Sequence, residues 1–201
     1  MMRYKLSRVS KGLIGSCTHQ FSYILCVIFM AACMSSEETS STSEMKVGDV
    51  VSSFTLKVTL PDAEDWRYSD KGSCLFETGK NQGRQSVIVF FHTTCPDCQK
   101  ELPVLQELYN LIKYDCAREM VCIARAQEAS DIQAYWQENG LTLPFSPQSD
   151  RSIYSLFASA GIPRIYITDS HGVVTYIFTD TDAPSLDELK EALNRKSSQT
   201  V

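Results

Sequence analysis

The sequence predicts an α/β domain in which a central mixed sheet is flanked by helices, and three observations predict it. Val87-Ile88-Val89-Phe90-Phe91 is an unbroken run of β-branched and aromatic residues, the pattern of a strand buried on both faces. Directly after it, apolar residues recur at Leu102, Leu105, Leu108 and Ile112, the three-to-four spacing of one helix face. The elements then follow in the order βαβα and ββα, which alternates layers before closing with an antiparallel hairpin.

Taken in order, Met1 to Cys33 reads as an export signal. Arg3, Lys5, Arg8 and Lys11 form a positive first region, and Phe21 to Ala32 is an apolar run of signal-peptide length, short for a bilayer span. Ala31-Ala32-Cys33 resembles a bacterial lipobox, with Met30 where leucine is usual, and the resemblance implies cleavage before Cys33 and a lipid on its sulfur. The alternative is an ordinary signal peptide cut after its small residues. Residues 34–45 are polar, acidic and low in complexity, so they read as a flexible tether. The folded domain is expected over 46–196, with a tail at 197–201.

Within the domain, Val50 to Leu60 is rich in β-formers and Pro61-Asp62 marks a turn, so Trp66-Arg67-Tyr68-Ser69 is the expected return strand of an N-terminal hairpin. Cys74 falls in the loops expected next. Met120 to Ala124 reads as a second core strand. Ser130-Asp131-Ile132-Gln133 reads as a capping box and Asn139-Gly140 as that helix's stop. Leu141 to Pro147 is a connector with two prolines. A helix beginning at Asp150 or Ser152 is expected to turn Ile153, Leu156 and Phe157 inward. Arg164 to Thr168 and Val173 to Thr179 form the hairpin about His171-Gly172. Ser185-Leu186-Asp187-Glu188 caps a last helix with Leu186, Leu189 and Leu193 on one face.

The chemistry lies between the first core strand and its helix, where Cys95-Pro96-Asp97-Cys98 stands. Unpaired N–H groups and the helix dipole favour negative charge there, so the first sulfur ionises more readily than a free thiol. One turn later, Cys98 can displace a mixed disulfide formed on Cys95. This placement is a strong signal for dithiol–disulfide exchange. Asp97 puts a negative charge beside the pair, which disfavours the thiolate and favours a reductant over an oxidant.

Val-Phe-Phe, Cys-Pro-Asp-Cys and Gln-Lys-Glu-Leu-Pro, followed far downstream by Gly161-Ile162-Pro163 before a strand, resemble the thioredoxin-fold thiol:disulfide oxidoreductases of the TlpA/ResA type. The resemblance runs from about Val47 to about Arg195. It implies a thioredoxin-like fold with an N-terminal β-hairpin extension, and a cis-proline at Pro163 facing the sulfurs. It further implies a substrate peptide pairing with the backbone of Ile162, and an acid at Glu101 that tunes the cysteines and moves protons. A solvated carboxylate answering the helix dipole is the other reading of Glu101. Thioredoxin itself uses a buried aspartate on the preceding strand, where this chain has Val89. Thr94 replaces a frequent tryptophan. Arg164 replaces the usual threonine, and either offsets Asp97 or faces solvent.

The expected function is therefore an exported, membrane-tethered oxidoreductase of the Gram-negative cell envelope, facing the periplasm or the cell surface. It would reduce protein disulfides with no cofactor beyond its own Cys95–Cys98 pair and draw electrons from an upstream membrane donor. Two other classes fit the residues less well. A peroxiredoxin-type peroxidase wants proline and threonine where this chain has Ile88 and His92. A binding module with no catalysis has no need of both cysteines. A net charge of −5 gives no basic footprint for nucleic acid. The eight cysteines contain no second Cys-x-x-Cys, which argues against a zinc site. Cys74, Cys116 and Cys122 read as inert thiols, with a Cys74–Cys116 bridge the one alternative.

Overall fold

The computed structural model describes residues 44–61, 73–78 and 83–195. The signal segment with Cys33, most of the tether, Trp66 to Ser69 and the tail at 197–201 lie outside the described residues.

Seven strands form one mixed sheet. In chain order the elements are β1 (Thr55–Thr59), β2 (Ser73–Glu77), β3 (Gln85–Phe91), α1 (Pro96–Ile112), β4 (Arg118–Ala124), α2 (Ala129–Asn139), β5 (Phe145–Ser146), a 3₁₀ turn (Tyr154–Leu156), β6 (Arg164–Thr168), β7 (Val174–Phe178) and α3 (Leu186–Asn194). The spatial order is β2-β1-β5-β4-β3-β6-β7. β3 runs parallel to β4 and antiparallel to β6, with Val89 opposite both Cys122 and Ile165. This is the thioredoxin-like arrangement, and β1 and β2 add the antiparallel hairpin before it.

β3 sits inside because its side chains leave no polar face. Val87 through Phe91 are all 1% exposed or less. Successive residues of a strand point to opposite faces, so Phe90 and Phe91 anchor two aromatic clusters. Phe90 meets Tyr154, Phe157 and Tyr166, with ring centroids 4.8 to 6.0 Å away. Phe91 meets Trp136 of α2 at 5.1 Å, and Trp136 meets Phe145 at 5.3 Å. Trp136 also donates its indole N–H to the Leu143 carbonyl at 3.0 Å, so its polar edge is satisfied where it is buried.

Several local expectations need correction. Cys74 lies on strand β2 opposite Val58, not in a loop. Partnership with β1 decides that assignment, and the segment's own sequence carries little of it. α2 starts at Ala129 with Glu128 as N-cap and no side-chain cap bond, so the capping box read at Ser130 does not form. Gly140 closes the helix with φ of 63°, as expected. The connector at 141–147 holds β5, two residues that join β4 to β1. The segment from Ser152 makes a single 3₁₀ turn in which Tyr154 and Phe157 go inward and Leu156 is 42% exposed. At the C-terminal end the capping box of Ser185 and Glu188 is complete, and Leu189 and Leu193 are buried.

Candidate active site

The helix that follows β3 begins on a sulfur. Cys95 is the N-cap of α1, in extended backbone geometry, and Pro96 supplies the first helical residue. Proline suits that position because the missing N–H has no partner there in any helix. The Cys98 amide donates to the Cys95 Sγ at 3.4 Å, so the sulfur takes the place of the usual capping oxygen. Cys95 is half-buried and open to the surface, whereas Cys98 is fully buried. Burial, reinforced by a hydrogen bond with Cys95, pushes the Cys98 thiol well above its ordinary range.

Opposite the helix start, the chain passes through Gly161, Ile162 and Pro163 into β6. The Ile162–Pro163 peptide is cis, as the resemblance implied, and the Cys95 thiol donates to the Ile162 carbonyl at 3.5 Å. The structure therefore brings Cys95, Cys98, Ile162 and Pro163 together at one end of the sheet.

Glu101 lies three residues after Cys98 on α1 and is 3% exposed. It is not a solvated carboxylate answering the dipole. Its Oε1 is buried with no hydrogen-bond partner, and burial pushes its carboxyl up to about 7. Residues three apart share a helix face, so this acid stands one turn behind the buried thiol. Val89 is completely buried on β3, which leaves Glu101 as the buried carboxylate on this helix. Asp97 is exposed and pairs with Lys100 at 2.9 Å.

Arg164 takes neither expected role. It is buried, donates from Nε to the Ala160 carbonyl at 2.9 Å, and pairs with Glu44 at 3.2 Å. Glu44 and Met45, the last described residues of the expected tether, thus contact the domain beside β6. The Met45 amide also donates to the Phe157 carbonyl at 2.9 Å. His92 directly follows β3 and accepts from the Thr94 amide at 3.3 Å, and burial together with Arg125 holds its imidazole below the usual range. No Cys74–Cys116 bridge is present, and Cys116 and Cys122 are free thiols. Burial raises the Cys122 thiol and keeps it inert.

Sequence reasoning missed the loop after β4. Ala126 has φ of 60°, a left-handed backbone uncommon outside glycine, asparagine and aspartate. The next residue, Gln127, is buried and clasps the active-site loop. Its Oε1 accepts from the Thr93 amide at 3.0 Å, and its Nε2 donates to the Thr93 hydroxyl. Arg125 and Ala126 then face Cys95 across an open cleft of about 560 Å³, which Arg151, Asp180 and the Gly161–Ile162 edge complete. No sequence signal marks these residues, because they come from separate loops that meet only in the fold. Among the described residues, no three or more His, Cys, Asp and Glu side chains gather as metal ligands.

Comparison with known proteins agrees with this geometry. The chain is 23% identical over 100 residues to "Thiol-disulfide oxidoreductase ResA" of Geobacillus kaustophilus, covering 50% of this chain and 57% of that protein. It therefore spans little more than half of that curated relative's length. Among solved structures, StoA from Bacillus subtilis superposes with a TM-score of 0.55 at 20% identity, covering 71% of this chain and 97% of that one. AhpC of Mycobacterium tuberculosis superposes at 0.58 with 11% identity, covering 76% and 93%. Both likenesses are to the fold. The family model for Redoxin matches residues 46–193, the span that carries the sheet, both cysteines and the cis-proline, and the chain belongs to the Redoxin family.

Proposed function

We propose that this chain is a thiol–disulfide oxidoreductase that reduces disulfides in other proteins. One observation carries the reading: an accessible sulfur caps a helix while a second, fully buried thiol waits one turn behind it. Cys95, as thiolate, attacks one sulfur of a substrate disulfide. A mixed disulfide forms and the other substrate sulfur leaves as a thiolate. The buried Cys98 thiol is a poor nucleophile until it loses its proton, and Glu101 is the acceptor. A carboxyl with a pKa of about 7 is matched to that task near neutral pH. The Cys98 thiolate then attacks the Cys95 Sγ and expels the second substrate thiolate. Two electrons have passed to the substrate, and the enzyme is left with a Cys95–Cys98 disulfide. An external dithiol must reduce it, and an upstream membrane donor is the proposed source.

The cis-Pro163 edge supports a binding role for Ile162, whose backbone would pair with the extended substrate segment while its disulfide sits against Cys95. The same reading includes attachment to the cell envelope of a Gram-negative bacterium through a lipid on Cys33. Its support is the signal-length apolar run and the small residues before that cysteine. Peroxidase chemistry gains no support at the site, since Ile88 and His92 stand where that motif needs proline and threonine.

The test is to trap the intermediate. Cys98→Ser, expressed in its native compartment, should accumulate covalent adducts that dithiothreitol dissolves, because the resolving step has lost its intramolecular advantage. The double variant Cys95→Ser, Cys98→Ser should accumulate none. Adducts that survive the loss of Cys95 would refute the assignment. Insulin reduction measured beside peroxide consumption separates reductase from peroxidase.

A further inference from the structure

The cleft in front of Cys95 carries charge of the opposite sign to the chain as a whole. The protein is net −5, yet two guanidiniums and a single carboxylate line the cleft: Arg125, Arg151 and Asp180. His92, on the same wall, is held toward its neutral form by burial and by Arg125, against the weaker pull of Asp131, so the cleft's positive charge comes from the arginines.

The pairing of the arginines makes the arrangement specific. Six arginines lie among the described residues. Four pair with carboxylates: Arg84 with Glu119, Arg118 with Asp115, Arg164 with Glu44 and Arg195 with Glu191. Neither of the other two has such a partner among the described residues, and both stand in the cleft. Arg125 is also held in place. Its guanidinium lies over the Tyr154 ring, 5.3 Å from the centroid, and its Nε is enclosed without an acceptor. A guanidinium fixed in this way presents its remaining N–H groups in the fork that matches a carboxylate. Arg151 is exposed on the rim. Asp180 stands against Gly161 on the cis-proline side, where an added Cβ would come within 2.7 Å of its Oδ1, and it repels a carboxylate from that edge.

We propose that the cleft selects protein disulfides flanked by acidic residues, with a substrate carboxylate taken up by Arg125 and Arg151 while the neighbouring sulfur meets Cys95. This rests on the oxidoreductase reading and adds the substrate class to it. The exchange itself is unchanged: Cys95 bonds to one substrate sulfur, the other leaves as thiolate, and Cys98 completes the two-electron transfer.

The test uses two disulfide-linked peptides that differ only in whether glutamate or lysine flanks each cysteine. The reduced full chain, kept in a neutral detergent, reacts with each in turn, and each rate is divided by the rate with dithiothreitol to remove intrinsic reactivity. The glutamate peptide should be preferred about tenfold at low ionic strength, and the preference should shrink as salt screens the cleft. Arg125→Gln with Arg151→Gln should bring the ratio close to one, and Arg151→Glu should turn it toward the lysine peptide. Equal reduction of both peptides by the wild type, or a preference that survives both arginine substitutions, would overturn the proposal. Reduction of neither peptide would instead overturn the oxidoreductase reading beneath it.

Discussion

Glu101→Gln tests the physical centre of the site. Glu101 has an ordinary carboxyl value of 4.5, and burial in the fold raises it to about 7. The folded state therefore holds this proton more tightly than the unfolded chain does. Stability from this group is greatest below the unfolded value and declines as pH rises from about 4.5 toward 7, above which the whole penalty applies. The difference corresponds to about 3 kcal/mol between the two protonation states, of which about 2–3 kcal/mol develops between pH 5 and pH 8. Glutamine has the same shape and does not titrate. The other titrating groups are common to both proteins and cancel in the comparison. On passing from pH 5 to pH 8 the variant should therefore gain about 2–3 kcal/mol relative to wild type, or about 5–10 °C in Tm for a domain of this size. Thermal or denaturant unfolding of the reduced proteins at the two pH values measures it. Parallel behaviour of wild type and variant would refute the reasoning. A carboxylate that ionises without cost in the fold is not desolvated, and the argument for it as acceptor of the Cys98 proton would fall with it.

In the same variant, resolution of a Cys95 mixed disulfide should slow by about 10²-fold near neutral pH, the usual size of a lost general base, and should lose its dependence on a group titrating near 7. Stopped-flow release of the second thiolate from an aromatic disulfide reads this directly. Gly161→Ala places a side chain on a backbone with φ of 82° and should destabilise the protein by about 1–2 kcal/mol while slowing reduction, since Gly161 adjoins Ile162. Asp180 is exposed and its carboxylate can swing away, so adding Asp180→Ala should recover little, and full recovery would show that contact with Asp180, not backbone strain, was the cause. Cys33→Ser should leave the protein unprocessed or release it from membranes. A variant that still fractionates with membranes at the processed mass would exclude the lipid anchor.

The sequence by itself determined the central strand, the placement of Cys95 and Cys98 at the start of a helix, and the final helix, because each is specified by neighbours a few residues apart. A short apolar run of β-branched and aromatic residues suits a strand buried on both faces, Pro96 after Cys95 starts a helix, and Ser185 with Glu188 caps one. The cis-proline edge was legible only through its resemblance to known motifs, since the residues around Pro163 do not state which strand they will face. Tertiary structure decided the rest. β2 and β5 exist because β1 and β4 offer them partners. Their own sequences, a segment read as loop and two residues between prolines, carry too little hydrophobic pattern to declare a strand. Glu101 changed from a helix-surface acid to a buried one with a raised pKa because the face it shares with Leu105 and Leu108 packs inward; the helix period puts it on that face, but only the packing decides that a carboxylate there is cut off from water. The cleft is the furthest from the sequence. Arg125, Arg151 and Asp180 follow β4, precede the 3₁₀ turn and follow β7, and unpaired charge at one place arises only when those three loops are brought to the same end of the sheet.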